Sequence, residues 1–233
     1  MNKKRLYSIL YLVCIVLLIN SIPFSLFIDN EIILLVINLV IKVISIIYIV
    51  RYIKKENLNT IKTKKIDKSS IKLTPLLLLC FSNFFVVWIA NSKVKTNVDI
   101  FSIISGLVIA TLVGIVEELL FRNQILEELL KKQTKFKALL YSALIFGGVH
   151  LLNISSISSI PTVLAQVVYT FVLGLCLGYI YINSKNIILP IIFHALFNFL
   201  NDVLVVKLFD LKWDLTFFIV NISLGILVLL YLF

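Results

Sequence analysis

Three ionisable side chains lie within six residues of one another near the end of a long apolar run. Glu117, Glu118 and Arg122 interrupt a stretch that is otherwise typical of a membrane-spanning helix. Charged groups cost about 2.5–3.5 kcal/mol each at the centre of a bilayer, even on the mild insertion scale, so they are rare there and usually functional. Glu118 and Arg122 are four residues apart and can pair on one helix face. Glu117 is rotated by about 100° from Glu118 and is left free to act as a general base.

Both histidines of the chain also lie in apolar runs, and each belongs to a short motif. His150 ends the pentapeptide FGGVH, which begins at Phe146. His194 and Asn198 are four residues apart, so their side chains share one helix face. A single histidine in a span is as often a packing residue as a functional one. The coincidence of two histidines with two glutamates in apolar runs favours a functional site.

A glutamate, two histidines and an amide are suited to activating water for attack on a peptide carbonyl. In one interpretation, Glu117 and His150 take the proton from the water. His194 and Asn198 then donate hydrogen bonds to the developing oxyanion. In the other interpretation, Glu117, His150 and His194 bind a divalent metal such as zinc and leave one position open for water. The sequence contains no HExxH motif, so the metal interpretation depends on residue types alone.

The composition places these residues in a membrane protein. Hydrophobic residues make up 61% of the 233 residues, and the mean hydropathy is +1.07, whereas a soluble domain is about 45–50% apolar. The apolar residues form runs of roughly the 20 residues that a spanning helix needs. We predict an all-α fold, a polytopic membrane bundle of about eight transmembrane helices that forms a single domain over residues 1–233. The predicted spans are Leu6–Ile28, Ile32–Ile53, Leu73–Ala90, Phe101–Leu126, Phe136–Leu152, Pro161–Ile182, Ile187–Val206 and Leu215–Phe233.

The basic residues are distributed unequally between the two ends of this bundle. With the N-terminus inside, 16 of the 22 Lys and Arg residues fall in cytoplasmic segments, four in outer segments and two, Lys42 and Arg122, within spans. Membrane proteins orient with their basic loops inside. We therefore predict a multi-pass protein of the plasma membrane with both termini in the cytoplasm. The lysine-rich loops also account for the net charge of +10, so no nucleic-acid partner is expected.

For two of the predicted cytoplasmic segments, the sequence predicts whether they are mobile or helical. The stretch Lys54–Lys72 is the longest polar one, and we predict a mobile surface loop near anionic lipid headgroups. Glu127 and Glu128 stand four residues before Lys131 and Lys132, a spacing that stabilises an exposed helix face. We expect this helix to extend into the cytoplasm as a solvated segment.

The cysteines and one glycine pair are assigned to packing. Cys14, Cys80 and Cys176 lie in apolar runs without CxxC spacing, so we predict buried apolar residues and no disulfide or zinc–thiolate site. Gly174 and Gly178 form a GxxxG pattern, which we predict lets helices pack closely within the bundle.

Depths estimated from the predicted helix ends place the three candidate side chains in the same region of the membrane. Glu117 is about 13 Å from the cytoplasmic end of its span, His194 about 10 Å and His150 about 21 Å. We expect the three side chains to line one cavity that opens to the cytoplasm, with His150 fitting least comfortably.

Together the three motifs resemble the signature of the CPBP family of intramembrane proteases. In chain order, on successive predicted helices, the motifs are Glu117-Glu118-x-x-x-Arg122, Phe146-x-x-x-His150 and His194-x-x-x-Asn198. The family includes the type II CAAX prenyl endopeptidase and the bacteriocin-processing and bacteriocin-immunity proteins of bacteria, also called Abi proteins. The motif-bearing region covers residues 101–201.

The resemblance implies an intramembrane endopeptidase with membrane lipid and a protein or peptide substrate as its partners. By position, it assigns water activation to Glu117 and His150, the oxyanion site to His194 and Asn198, and supporting roles to Glu118, Arg122 and Phe146. The family is often described as metalloprotease. A glutamate–histidine mechanism without a metal fits the resemblance at least as well.

The substrate and two alternative functions stay open at this point. A composition rich in Lys, Ile and Asn is typical of an AT-rich bacterial genome, where a bacteriocin or signalling-peptide precursor is a more natural substrate than a prenylated protein. One alternative is a non-catalytic immunity or scaffold protein of the same fold. The other is a proton-coupled transporter, since buried Glu and His also relay protons. No pair of broken spans in two matching halves supports a transporter.

Overall fold

Helices form nearly all of the regular structure in the described part of the chain. The computed structural model describes residues 3–65, 75–90, 92–155, 160–209 and 215–232. Within those ranges no strand occurs, and extended backbone pairs only at two isolated bridges, Thr63 with Asn186 and Val94 with Phe209. The predicted all-α, polytopic class is confirmed.

Eleven α-helices are described, and four of them continue directly from π-helical segments or into them. The helices are α1 Lys3–Asn20, α2 Glu31–Lys55, α3 Leu76–Cys80, α4 Ser82–Ile89, α5 Ile100–Glu118, α6 Glu127–Leu130, α7 Lys135–Gly148, α8 Ile160–Ser184, α9 Ile188–Phe197, α10 Val205–Leu208 and α11 Leu215–Leu232. The π-helical segments are Leu119–Leu126, between α5 and α6, and Asn198–Leu204, between α9 and α10. Short 3-10 segments are Phe24–Leu26 and Val149–Ser155.

Six of the described helices are long and apolar enough to cross a membrane, which makes the chain a multi-pass membrane protein. They are Lys4–Leu26, Glu31–Lys55, Ile100–Leu130, Lys135–Asn153, Ile160–Ser184 and Ile188–Leu208. Each overlaps one predicted span. The eighth predicted span contains a shorter apolar helix, Phe218–Leu232. The described part of the third is divided at Phe81, where φ is −102° and ψ is 12°. The count of eight therefore stays a prediction.

Glycines allow the site-bearing helices to approach closely. A Cβ added at Gly114 would lie 3.3 Å from backbone atoms of Ala195 and Ile191, so α5 and α9 are nearly in backbone contact there. A Cβ at Gly174 would lie 3.0 Å from the ring of Phe146, at the packing of α8 against α7. The predicted role of the GxxxG pattern in close packing within the bundle is confirmed.

The polar stretch after α2 is packed against the bundle, which corrects the prediction of a mobile loop for its described part. Asn59 is only 7% exposed. Its carbonyl accepts hydrogen bonds from Asn123 at 2.9 Å and from Gln124 at 2.8 Å. Its side-chain oxygen accepts from Arg5 at 2.8 Å and Lys131 at 2.6 Å. Composition did not indicate this order because every partner is distant in sequence. Residues 66–72 of the predicted loop lie outside the described residues.

The helix end that carries Glu127 and Glu128 is also packed, so its prediction as a solvated extension was wrong. Glu128 is 7% exposed and pairs with Arg5 at 3.1 Å and with Lys131 at 2.7 Å. Glu127 pairs with Lys62 at 2.7 Å. The acidic residues bind cations from the N-terminus and from the stretch after α2, in addition to one on their own helix.

The three cysteines are all free. Cys80 and Cys176 are buried, as predicted. Cys14 is exposed, which corrects its prediction as a buried residue. It lies on the same outward face of α1 as Tyr11 and Leu18, both of which are also exposed.

Candidate active site

Two helices carry most of the candidate site, and each changes to π-helical geometry beside its functional residues. The α5 helix ends at Glu118, and the π-helical segment Leu119–Leu126 follows at once. The second π-helical segment begins at Asn198, directly after α9. Wide π turns inside helices are rare and are frequently found at functional sites. Both glutamates and His194 therefore lie within one turn of an irregular helical segment.

The carboxylate of Glu118 connects the first and third motifs. Its Oε1 lies 3.0 Å from Nη1 of Arg122 and 2.8 Å from Nδ1 of His194. All three side chains are almost completely buried. The predicted Glu118–Arg122 pair is present. Because an ionised carboxylate can only accept hydrogen bonds, Nδ1 of His194 carries the proton in this contact.

The ring of Phe146 holds the charged and imidazole groups together. Cζ of Arg122 lies 4.3 Å from the ring centroid, in cation–π geometry. The rings of His150 and His194 meet it edge-on, with centroids 5.3 Å and 5.8 Å away. Arg122 also donates a hydrogen bond to the carbonyl of Gly174 at 3.2 Å. Phe146 thus contacts a residue from each of the three motifs.

Glu117 differs from its neighbour in exposure. Its side chain is 23% exposed, whereas that of Glu118 is 0% exposed. Oε2 of Glu117 lies 3.6 Å from Nε2 of His194, so one imidazole stands between the two glutamates. The adjacent carboxylates therefore have different surroundings, as the 100° rotation between them predicted.

The hydrogen bond of His150 determines which ring nitrogen can accept a proton. Its Nδ1 lies 2.9 Å from the carbonyl oxygen of Phe146. A carbonyl only accepts, so Nδ1 donates and the neutral ring keeps a lone pair on Nε2. His150 is consequently arranged as a proton acceptor.

His194 and Asn198 are arranged as donors. Because Nδ1 of His194 is bound to Glu118, His194 must carry both ring protons to donate from Nε2. Asn198 follows one turn later and is half-buried. Among the described residues, none forms a hydrogen bond with its side-chain amide.

The described side chains include no group of three His, Cys, Asp or Glu residues arranged to hold a metal ion. Of the predicted metal ligands Glu117, His150 and His194, the last already uses Nδ1 for Glu118. His150 uses Nδ1 for a backbone carbonyl, so only one nitrogen of each ring is left. A metal held by Glu117, His150 and His194 stays a prediction.

A cavity of about 210 Å³ adjoins Glu117 and His150. Its lining residues are Val16, Leu17, Asn20, Ser21, Lys42, Val113, Val116, Glu117, Val149, His150, Leu152 and Asn153. Helices α1 and α2 form one wall, and α5 and the end of α7 form the other. Glu117 and His150 therefore share a cavity, as predicted, whereas His194 is buried behind it.

Lys42 is the functional candidate that the motifs did not identify. Its ammonium group lies in this cavity and donates a hydrogen bond to Asn20 at 2.6 Å. A lysine in a predicted span was the available signal. Its nearness to Glu117 could not be predicted, because it depends on how α2 packs against α5.

The residues that line the cavity lie towards the end of the bundle opposite the lysine-rich end, and which of the two ends faces the cytoplasm stays a prediction. Asn20 and Ser21 lie at the end of α1 that is distant from Arg5, and Asn153 follows the end of α7 that is distant from Lys135. The lysine-rich end of the bundle is instead closed by the packed stretch around Asn59. The large estimated depth of His150 was the early sign of this arrangement.

The fold and the cluster define a multi-pass membrane protein with a buried glutamate–arginine–histidine centre. Residues 99–200, somewhat less than half of the chain, match the family model described as type II CAAX prenyl endopeptidase Rce1-like. The match includes all three motifs and supports the resemblance of this segment to the CPBP family. It supports a CAAX-type intramembrane protease as the kind of function. A search of curated proteins finds no match.

Proposed function

We propose that this protein is an intramembrane endopeptidase that hydrolyses a peptide bond with water activated by Glu117 and His150. The observation that carries the proposal is the cavity that these two residues share. One supplies an accessible carboxylate, and the other an imidazole whose Nε2 is left free to accept a proton.

The reaction begins with a water molecule in the cavity between these two groups. Glu117 and His150 take its proton as its oxygen attacks the peptide carbonyl. The carbonyl oxygen becomes an oxyanion, which accepts hydrogen bonds from Nε2 of His194 and from the amide of Asn198. The proton held by Glu117 and His150 then passes to the leaving nitrogen as the C–N bond breaks.

The remaining motif residues position the donors. Glu118 holds Nδ1 of His194 and is itself held by Arg122. The ring of Phe146 fixes the planes of both imidazoles. Such preorganised donors typically contribute a factor of about 10²–10³ each to the rate.

The substrate proposed is a membrane-associated peptide, such as a bacteriocin or signalling-peptide precursor, cleaved in the plasma membrane. The amino-acid composition is rich in Lys, Ile and Asn, which is typical of an AT-rich bacterial genome. This supports a bacterial peptide over a prenylated protein as the substrate. The excess of lysine at one end supports an orientation with both termini in the cytoplasm.

The test is cleavage of a library of N-acylated peptides by purified protein, read by mass spectrometry. Glu117→Gln keeps the shape of the side chain and removes its basicity, so we expect a loss of at least about 10²-fold. Glu31→Gln is the matched control, because Glu31 lies exposed at the start of α2. Cleavage by Glu117→Gln at the wild-type rate contradicts the proposal.

A chelator decides between the two chemistries. With water activated by Glu117 and His150 alone, we expect unchanged cleavage after dialysis against a zinc chelator. Activity that is lost with the chelator and restored by zinc assigns water activation to a metal. If wild type cleaves no peptide and still confers bacteriocin resistance, the protein is a non-catalytic immunity factor.

A further inference from the structure

The mouth of the cavity lies in the half of the bundle opposite the lysine-rich end. Asn20 is 15 residues beyond Arg5 on α1, which corresponds to about 22 Å. Arg5 is bound to Glu128 at the lysine-rich end. Ser21 and Leu152 line the cavity and are partly or fully accessible at the mouth. A peptide thus reaches Glu117 by the route that these residues border.

The lysine-rich end of the bundle is tightly packed in its described part. Asn59, Asn123 and Gln124 are all buried there, and Asn59 is hydrogen-bonded to each of the other two. In addition, apolar residues of α1, α2, the stretch after α2 and the first π-helical segment form one continuous buried cluster. Its members include Leu12, Ile53, Leu58, Leu120 and Ile125. None of the residues named here lines the cavity that Glu117 and His150 share.

The charges of the two ends determine which end faces the cytoplasm. Described basic residues at the closed end are Lys3, Lys4, Arg5, Arg51, Lys54, Lys55, Lys62, Lys64, Lys65, Lys131, Lys132, Lys135, Lys137 and Lys185. Those at the opposite end are Lys93, Lys95 and Lys207. An excess of this size places the closed end in the cytoplasm.

We infer that the site is entered from the extracytoplasmic face of the membrane. The substrates are then peptides delivered to that face, or outward-facing segments of membrane proteins. The inference rests on the proposed function only in that it calls these peptides substrates. The direction of access is separate from it and can be measured on a protein that cleaves nothing.

The experiment is cysteine labelling in intact cells with a membrane-impermeant maleimide. The background is Cys14→Ser, because Cys80 and Cys176 are buried. Ser21→Cys reports the mouth of the cavity, Lys93→Cys the surface at the same end, and Lys132→Cys the surface of the closed end. We expect labelling at positions 21 and 93 in intact cells, and labelling of Lys132→Cys only after permeabilisation.

Each other outcome overturns the inference. Labelling of Lys132→Cys alone in intact cells reverses the orientation. Labelling of Lys93→Cys without Ser21→Cys shows that the cavity does not open to that face. As a control, labelling of Ser21→Cys is repeated in a protein that also carries Glu117→Gln. This second substitution removes the proposed catalysis and should leave the labelling of position 21 unchanged.

A second arm uses a charged, impermeant peptide that the purified protein cleaves. Intact cells that make the protein should cleave it, and cells that make the Glu117→Gln variant should not. Cleavage confined to inside-out vesicles contradicts extracytoplasmic access. If purified protein cleaves no peptide, the proposed function fails, and the labelling still decides the direction of access.

Discussion

Glu117 and Glu118 are adjacent in sequence and occupy different environments. Glu118 is sealed among Arg122 and His194, whereas Glu117 faces a cavity that contains Lys42. Ionised groups inside a membrane protein persist where they pair or meet water. Glu118 pairs with Arg122 and His194, whereas Glu117 is accessible from the cavity. Their variants should therefore fail in different ways.

Glu118→Gln should damage both stability and activity. It leaves the buried guanidinium of Arg122 without an anion, and breaking a buried ion pair typically costs about 3–5 kcal/mol. It also removes the acceptor that holds His194. We expect a clear fall in the thermal unfolding temperature in detergent, together with loss of cleavage. Glu117→Gln should lose cleavage at an unchanged unfolding temperature, and equal destabilisation by both variants would contradict the division of roles.

Lys42 should support the reaction through its charge. Lys42 lines the same cavity as Glu117, so we expect Lys42→Met to lower kcat/KM by about tenfold, or 1.4 kcal/mol. Lys42→Arg keeps the charge and should restore most of the activity. The two variants should unfold at similar temperatures. Equal activity of both variants would exclude an electrostatic role.

Contacts between side chains on one helix were predictable from the sequence, whereas contacts between different helices were not. The pair Glu118–Arg122 follows from helical periodicity alone. The hydrogen bond from His194 to Glu118 joins residues 76 positions apart, and spacing gives no access to it. The same limit hid the place of Lys42 beside Glu117.

Helix packing around α7 depends on two neighbouring glycines that behave differently. A Cβ at Gly147 would lie 2.8 Å from the carbonyl oxygen of Val167 and 3.0 Å from the side chain of Phe171 on α8. A Cβ at Gly148 would meet nothing within 4 Å. The close approach of α7 to α8 therefore rests on the first glycine and not on the second.

Gly147→Ala should separate α7 from α8 and displace the helix that carries Phe146. We expect a lower unfolding temperature and reduced cleavage, since overpacking typically costs about 1–3 kcal/mol. Gly148→Ala is the matched control and should be neutral or slightly stabilising, because alanine is favoured over glycine in a helix. Both are measured by thermal unfolding in detergent. Similar destabilisation by the two substitutions would argue against the close contact.

Hydropathy predicted the existence of helices better than their continuity. The six longest described helices all overlap predicted spans. The break at Phe81 was missed because the surrounding residues are uniformly apolar, and hydropathy does not report backbone angles. The π-helical segments were missed for the same reason.

At the scale of the whole molecule, the stretch after α2 fastens the N-terminal helices to the motif-bearing ones. Asn59→Ala removes one donor to the carbonyl of Gln124 and the acceptor for Arg5 and Lys131. We expect a loss of about 2–3 kcal/mol in the free energy of unfolding. Asn38→Ala is the control, since Asn38 bonds only a carbonyl of its own helix. Equal unfolding temperatures for the two variants would contradict the fastening role.

The whole-molecule arrangement was partly predictable. Charge asymmetry predicted an oriented, multi-pass bundle. The predicted opening of the cavity towards the lysine-rich end assumed a mobile stretch after α2, whereas the described part of that stretch is packed. Polar residues that satisfy one another across 65 positions of sequence close that end.

The two walls of the cavity come from different parts of the chain. The wall that bears Glu117 and His150 lies within residues 99–200, the segment that matches the protease family. The facing wall, with Asn20, Ser21 and Lys42, lies outside that segment. Under the proposed function, the residues for the chemistry and the residues that face them across the cavity thus belong to separate parts of the chain. Exchange of α1 and α2 alone would then change the wall that a peptide meets and leave Glu117 and His150 in place.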